Sequence, residues 1–180
     1  MHTVRGVPPD ARRRLFFALW PDERTRSALL RYRRQPDAGG RPVPSDHLHL
    51  TLAFAGTVSQ AQAQHLHQMA AEVRAFAFAL QLDWIDHFRE ARVQWLGPRR
   101  VPDALPHLAS ALCALCREAG VDLSEAPFRP HVTLQRHICR PLCGPVAPAP
   151  FWQVEDFVLV ESGAHGKPGP YRIVARWPLC

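Results

Sequence analysis

No apolar run in the 180-residue chain approaches the ~20 residues that a membrane-spanning helix needs. The apolar stretch at residues 15–20 is too short for a signal-peptide core. It runs into Pro21-Asp22-Glu23-Arg24 rather than a small-residue cleavage site, so a cytoplasmic protein is expected. Cysteines number five, an odd count, with no framework of the kind found in small secreted domains. Cys113-x-x-Cys116 and Cys139-x-x-x-Cys143 have spacings a zinc pair could use. However, Cys113 and Cys116 fall inside a segment that reads as a helix, where i and i+3 share a face and act as small buried hydrophobes. A structural zinc site wants its Cys-x-x-Cys in a turn. No carboxylate cluster suggests a metal centre, so neither a metal nor a cofactor is expected.

What the chain has in excess is positive charge, a net +6 with pI ≈ 9.6, carried mostly by arginine. Such a surface favours anionic partners, though an arginine-rich composition without ligand meaning would look the same. The length suits one domain, 1–180, or one domain built of two lobes, and a 47% hydrophobic content is ample for a core.

Residues 14–20 form a short apolar run of strand length. Pro21 and Asp22 then open a helical stretch to about residue 34, acidic at its start and basic toward its end. Residues 35–42 read as a loop. A strand is predicted over 47–54 and ended by Gly56, followed by a helix from the Ser59/Gln62 capping-box signature to about residue 74. Strands are predicted within 76–88 and over 91–96. The order then restarts. A helix spans 103–119 with Gly120 placed to cap it, a strand follows Pro127-Phe128-Arg129-Pro130, and 141–150 is a proline-rich connection. Strands over 152–161 and 171–177 flank a glycine-rich loop. Residues 14–20 thus correspond to 91–96, and 80–85 loosely to 154–159.

The strongest signal is a repeated tetrapeptide, His49-Leu50-Thr51-Leu52 and His131-Val132-Thr133-Leu134, one copy in each half. Residues two apart on a strand share a face. His49 and Thr51 therefore point one way, while Leu48, Leu50, Leu52 and Phe54 point into apolar packing. His131 and Thr133 likewise share a face, with Val132 and Leu134 opposite. If the halves meet across a cleft, two imidazoles and two hydroxyls converge on it. That set suits phosphoryl chemistry on a cyclic diester: one histidine takes a proton from water, the other gives one to the departing ribose oxygen, and the threonines donate to the non-bridging oxygens. Chance recurrence of a tetrapeptide in an ordinary α+β chain is the plain alternative. His47-x-His49 could mimic a metal pair but finds no further ligand set, and His65-x-His67 diverges on a helix.

These residues resemble the two-histidine (2H) phosphoesterase superfamily, and within it the bacterial and archaeal RNA 2′,3′-cyclic phosphodiesterases, historically called 2′-5′ RNA ligases. The resemblance covers nearly the whole chain. It includes Arg14-Leu15-Phe16-Phe17-Ala18-Leu19, Asp46 through Gly56, Phe128 through Leu134, Leu159-Val160-Glu161-Ser162 and Gly169-Pro170-Tyr171-Arg172. It implies an α+β fold that is bilobal, two pseudo-symmetric lobes each with an antiparallel β-sheet and helices outside, the active-site cleft between them. It implies metal-independent opening of a 2′,3′-cyclic phosphate at an RNA end to a 2′-phosphate, with His49 as proton donor, His131 as proton acceptor, and Thr51 and Thr133 binding phosphate oxygens. The implied partner is RNA with a 2′,3′-cyclic phosphate terminus or a small cyclic nucleotide, handled by a monomer away from membranes. Ala55 departs from the leucine common in the family, a minor packing change. Arg129 and Arg136 could contact the RNA backbone or be solvated arginines near the cleft, and strand alternation puts Arg136 on the face opposite Thr133. A 2′-5′ RNA ligase, a phosphodiesterase on another cyclic phosphate such as one from ADP-ribose, and a non-catalytic RNA-binding module are the competing readings.

Overall fold

In the computed structural model, which describes residues 12–33, 39–163 and 169–180, the first apolar run is strand β1 (Arg13–Leu19). Its alternation divides two interiors: Leu15, Phe17 and Leu19 enter the main core, while Phe16 and Ala18 join Val158 and Val160 on the opposite face. Helix α1 (Glu23–Arg33) begins where Asp22 Oδ1 accepts the Thr25 N–H at 2.6 Å, and Arg31 and Arg33 occupy its last turn. The expected helix end near residue 34, the first half of the loop at 35–42 and the glycine-rich loop around His165 lie outside the described residues. The part of that first loop that is described contains a short strand, β2 (Arg41–Pro42), paired with the second motif strand.

Strand β3 (Leu50–Val58) follows a 3-10 turn at Ser45–His47 and runs past Gly56, which sits inside it at φ 68°. Ser59 and Gln62 make the expected capping box at the start of α2 (Gln60–Ala70), which stops short of residue 74. The Gln62 amide also donates to the Ala119 and Gly120 carbonyls, tying α2 to a distant turn of the chain. The region predicted within 76–88 is two strands, β4 (Phe78–Gln81) and β5 (Trp84–Phe88), followed by β6 (Val93–Gly97). Helix α3 (Ala104–Glu118) ends at Gly120 with φ 70°, where the Val121 N–H bonds the Cys116 carbonyl. Cys116 is fully buried on its core face, and that burial pushes the thiol up to about 12. The remaining strands are β7 (Val132–Arg136), β8 (Gly144–Pro145), β9 (Phe151–Val154), β10 (Asp156–Ser162) and β11 (Tyr171–Pro178). Among the described residues no helix is long and apolar enough to cross a membrane.

Among the described residues the strands form a nine-stranded antiparallel sheet in the order β11-β10-β1-β3-β7-β6-β5-β8, with β2 beside β7 and a separate pair β4-β9. The element order β1-α1-β3 in the first half recurs as β6-α3-β7 in the second. The outer strands are exchanged, however: β10 pairs with β1, and β5 with β6. Each side of the sheet is therefore completed by a strand from the other half of the sequence. The two sides meet at one register pair, Leu50 opposite Val132.

Two bulges in β3 change which side chains face where. Register shifts skip Ala55 and Leu52 against β1, so Leu52 and Ala53 both enter the core. Phe54 is thereby turned away from the core, against the expected alternation, and is 46% exposed. A third shift, between Gln94 and Trp95 on β6, skips Leu134 of β7. Leu134 stays in the core and the phase after it is displaced, so Arg136 does not sit opposite Thr133 as alternation predicts. Both line one cavity.

Candidate active site

Leu50 and Val132 are fully buried in the core, directly opposite each other on adjacent antiparallel strands. In such a pair the next residues outward are also opposite and share the other face. His49 is therefore placed across from Thr133, and Thr51 across from His131. The four residues singled out in the sequence come together at the seam between the two sides of the sheet, each histidine facing the other half's threonine.

The two imidazoles are held by one device used twice. His49 Nδ1 lies 2.7 Å from the His47 carbonyl, and His131 Nδ1 lies 2.7 Å from the Arg129 carbonyl. A carbonyl only accepts, so each Nδ1 carries the proton and each neutral ring presents Nε2 as its free lone pair. Rings on both sides fix the orientation. Trp20 stacks on His49 at 5.6 Å, with Phe16 at 5.0 Å and Tyr171 edge-on at 5.4 Å. Phe88 meets His131 edge-on at 4.8 Å, with Trp95 at 6.0 Å.

A cavity of about 150 Å³ opens beside His49, lined by Arg41, His47, Thr133, Arg136, His137 and Tyr171 among others and by no acidic side chain. A larger cavity, about 490 Å³, lies by His87, Arg89 and Arg92 and includes none of the motif residues. The sequence placed Arg136 on the wrong face and assigned Tyr171 no role. Arg136 was hidden by the bulge at Leu134, and Tyr171 comes from the far end of the chain. His47, weighed in the sequence as half of a metal pair, instead stacks its ring on Tyr171 at 4.2 Å and offers its carbonyl to His49. Among the described residues no group of three or more His, Cys, Asp or Glu side chains is gathered to hold a metal ion.

Burial pushes the His49 imidazolium down to about 4; the bond to the His47 carbonyl opposes this, and the charges of His131 and Arg136 add to it. His131 is lowered as well, by burial first and then by the Arg129 and Arg136 guanidinium groups, again against its carbonyl bond. Both rings are therefore neutral at pH 7 in the free protein, in a site whose fixed charge is positive. A bound phosphate anion reverses the balance and raises both. NMR titration of the ring resonances should find both histidines below 6.5, with His49 near 4, and both moving upward when inorganic phosphate is added. Between 6.5 and about 4 the unfolded His49 takes a proton the folded one refuses, so its stabilising effect is full above 6.5 and is lost as pH falls toward 4. Denaturant unfolding at pH 7 and pH 4.5 should show the weaker fold at the lower pH, with phosphate narrowing the gap.

A model of the 2′-5′ RNA ligase superfamily matches residues 21–161. The chain belongs to the 2′-5′ RNA ligase superfamily. Within it, the chain is 36% identical over 170 residues to an RNA 2′,3′-cyclic phosphodiesterase of Escherichia coli (strain K12), covering 92% of this chain and 96% of that one. A Thermus thermophilus protein of the same name is 31% identical over 180 residues, covering 92% and 90%. Among solved superfamily structures, E. coli LigT complexed with 3′-AMP superposes with a TM-score of 0.84 at 35% identity, covering 93% of this chain and 98% of that one. LigT complexed with phosphate superposes with a TM-score of 0.78 at 33% identity, covering 94% and 99%. The α+β fold with its large antiparallel sheet is thus that of this superfamily.

Proposed function

We propose that the chain hydrolyses 2′,3′-cyclic phosphate ends of RNA to 2′-phosphomonoesters, with two histidines as acid and base and no metal. The observation that carries this is the seam at Leu50 and Val132, which sets two Nδ1-tethered imidazoles and two threonine hydroxyls on one basic face. The relatives named as RNA 2′,3′-cyclic phosphodiesterases supply the substrate class.

The His131 Nε2 lone pair takes a proton from water as its oxygen bonds to phosphorus. The P–O3′ bond breaks, and the His49 Nε2 proton passes to the departing O3′. Negative charge grows on the non-bridging oxygens, where the Thr51 and Thr133 hydroxyls donate and the Arg136 guanidinium offsets it. Since His49 is held near 4 in the free protein, it is the charge of the substrate's anionic phosphate that raises the ring and lets it take a proton from solvent. The tether to the His47 carbonyl then favours the charged ring. After turnover the protons stand reversed, and exchange with solvent resets them. Every group in this scheme comes from a single chain, so a monomer suffices.

The direct test is to incubate the protein with an oligoribonucleotide ending in a 2′,3′-cyclic phosphate, in chelator, and identify the product isomer. A 2′-phosphate is expected. No turnover, or a 3′-phosphate, would overturn the reading, and loss of activity only in chelator would overturn its metal-free part.

A further inference from the structure

The cavity of about 490 Å³ is walled by basic side chains that the catalytic scheme does not use. His87, Arg89 and Arg92, all from the β5–β6 hairpin, line it with Ile138, Cys139 and Pro141, and none of these is acidic. Arg92 holds a left-handed backbone, φ 53°, which side chains adopt at a cost. It is clasped to the segment after β7. The Ile138 N–H donates to the Arg92 carbonyl and the Arg92 Nε–H to the Ile138 carbonyl, both at 3.1 Å, while Arg92 Nη2 donates to Cys139 Sγ at 3.5 Å. Those partners are a neutral carbonyl and a thiol, which is a weak acceptor. Neither Arg89 nor Arg92 forms an ion pair among the described residues. His87 Nδ1 is buried without a hydrogen-bond partner there, since Asp86 Oδ1, 3.2 Å away, accepts the His87 backbone N–H instead. The ring's polar contact with the cavity is therefore through Nε2.

We propose that this cavity is a second phosphate-binding site, separate from the catalytic one, in which Arg89 and Arg92 neutralise a phosphate group and His87 Nε2 donates a hydrogen bond to it. A guanidinium held by neutral partners keeps its charge unanswered, and an anion answers it without breaking the clasp. Arg92 Nη1 makes no bond among the described residues, so donors remain for the ligand. The clasp also fixes the side chain before the ligand arrives, which lowers the ordering cost of binding. The site borders the catalytic cavity. Arg136 and His137 line that one, and the next two residues, Ile138 and Cys139, line this one. Two residues of extended chain span about 7 Å, so one anionic strand can reach both. A backbone phosphate of an RNA held by its cyclic end and a free phosphate group present the same chemistry to these side chains. The RNA source rests on the functional reading above; the site itself does not.

NMR titration of the protein with inorganic phosphate, against chloride at equal ionic strength, tests the site. The His87 ring and Arg92 Nε–H resonances should shift saturably with phosphate and not with chloride. In Arg89→Gln and in Arg92→Gln the apparent Kd read at His87 should rise about tenfold, the worth of one hydrogen bond to a charged group. Arg92→Gln also loosens the clasp, so Arg89→Gln, at an exposed loop position, is the deciding variant. No saturable shift at His87, an equal shift in chloride, or an unchanged Kd in Arg89→Gln overturns the proposal. The source is read from kcat/KM for adenosine 2′,3′-cyclic phosphate and for a tetraadenylate ending in the same group. If RNA supplies the phosphate, Arg89→Gln lowers the preference for the tetranucleotide through KM. The slope of log affinity on log salt then loses about 0.7, one phosphate on a single strand. If a free phosphate occupies the site, that preference is unchanged while the tenfold difference in phosphate binding stands. A wild type that turns over neither substrate would sink the functional reading alone, with the phosphate titration still deciding the site.

Discussion

His49→Ala and His131→Ala should each lower turnover of a 2′,3′-cyclic phosphate by about 10³-fold, within the range a positioned acid or base contributes, while the protein stays folded. Each ring lies on the face opposite the core, and its backbone anchors are the carbonyls of His47 and Arg129, which alanine does not remove. Circular dichroism and thermal melts close to wild type would confirm that only chemistry was lost. The two variants should part company on a substrate whose 3′-bridging oxygen is replaced by sulfur. A thiolate leaves without a proton, so His49→Ala should regain most of its loss there and His131→Ala should not. Rescue of His131→Ala instead would exchange the roles, and full activity of both variants on the ordinary substrate would remove the mechanism altogether.

Arg136→Ala should cost on the order of a hundredfold in kcat, comparable with removing one donor from an oxyanion-stabilising set. Arg136 lines the cavity with Thr133, and its charge reaches both histidines, lowering each. Two readouts therefore move together in this variant. Turnover falls because charge on the non-bridging oxygens is no longer offset. In the free protein both histidines titrate closer to 6.5, because a neighbouring positive charge has gone, so the acidic limb of kcat/KM moves to higher pH. Arg136→Lys keeps the charge and should keep the histidine titrations, while recovering only part of kcat because a point charge replaces a planar fork. Unchanged histidine titration in Arg136→Ala would show that the arginine does not face the site.

Much of the site was legible because it is written at short range. His-x-Thr on a strand shares a face whatever the strand pairs with, and Leu50, Leu52, Val132 and Leu134 are in the core as their spacing predicts. The Ser59/Gln62 box and the Gly120 cap were equally local, since each is satisfied within a turn of its own helix. Phe54 and Arg136 went wrong for one shared reason. A bulge adds a residue to one strand relative to its partner, and every side chain beyond it changes face. The bulges at Leu52, Ala55 and Leu134 are defined only against β1 and β6, and nothing within the motif segments announces them.

Side-chain alternation depends only on the local backbone, so residues 49–52 and 131–134 already establish two matching imidazole–hydroxyl pairs, each on the polar face of a buried strand. Tertiary structure alone decided that the pairs face each other. It did so through the Leu50–Val132 register pair, and by exchanging β5 and β10 so that each side of the sheet needs the other half of the chain. It also decided what surrounds the pairs. Tyr171 reaches His49 from the C-terminal strand and Arg136 turns in after a bulge, because pairing between distant strands, rather than local periodicity, sets which residues share a cavity.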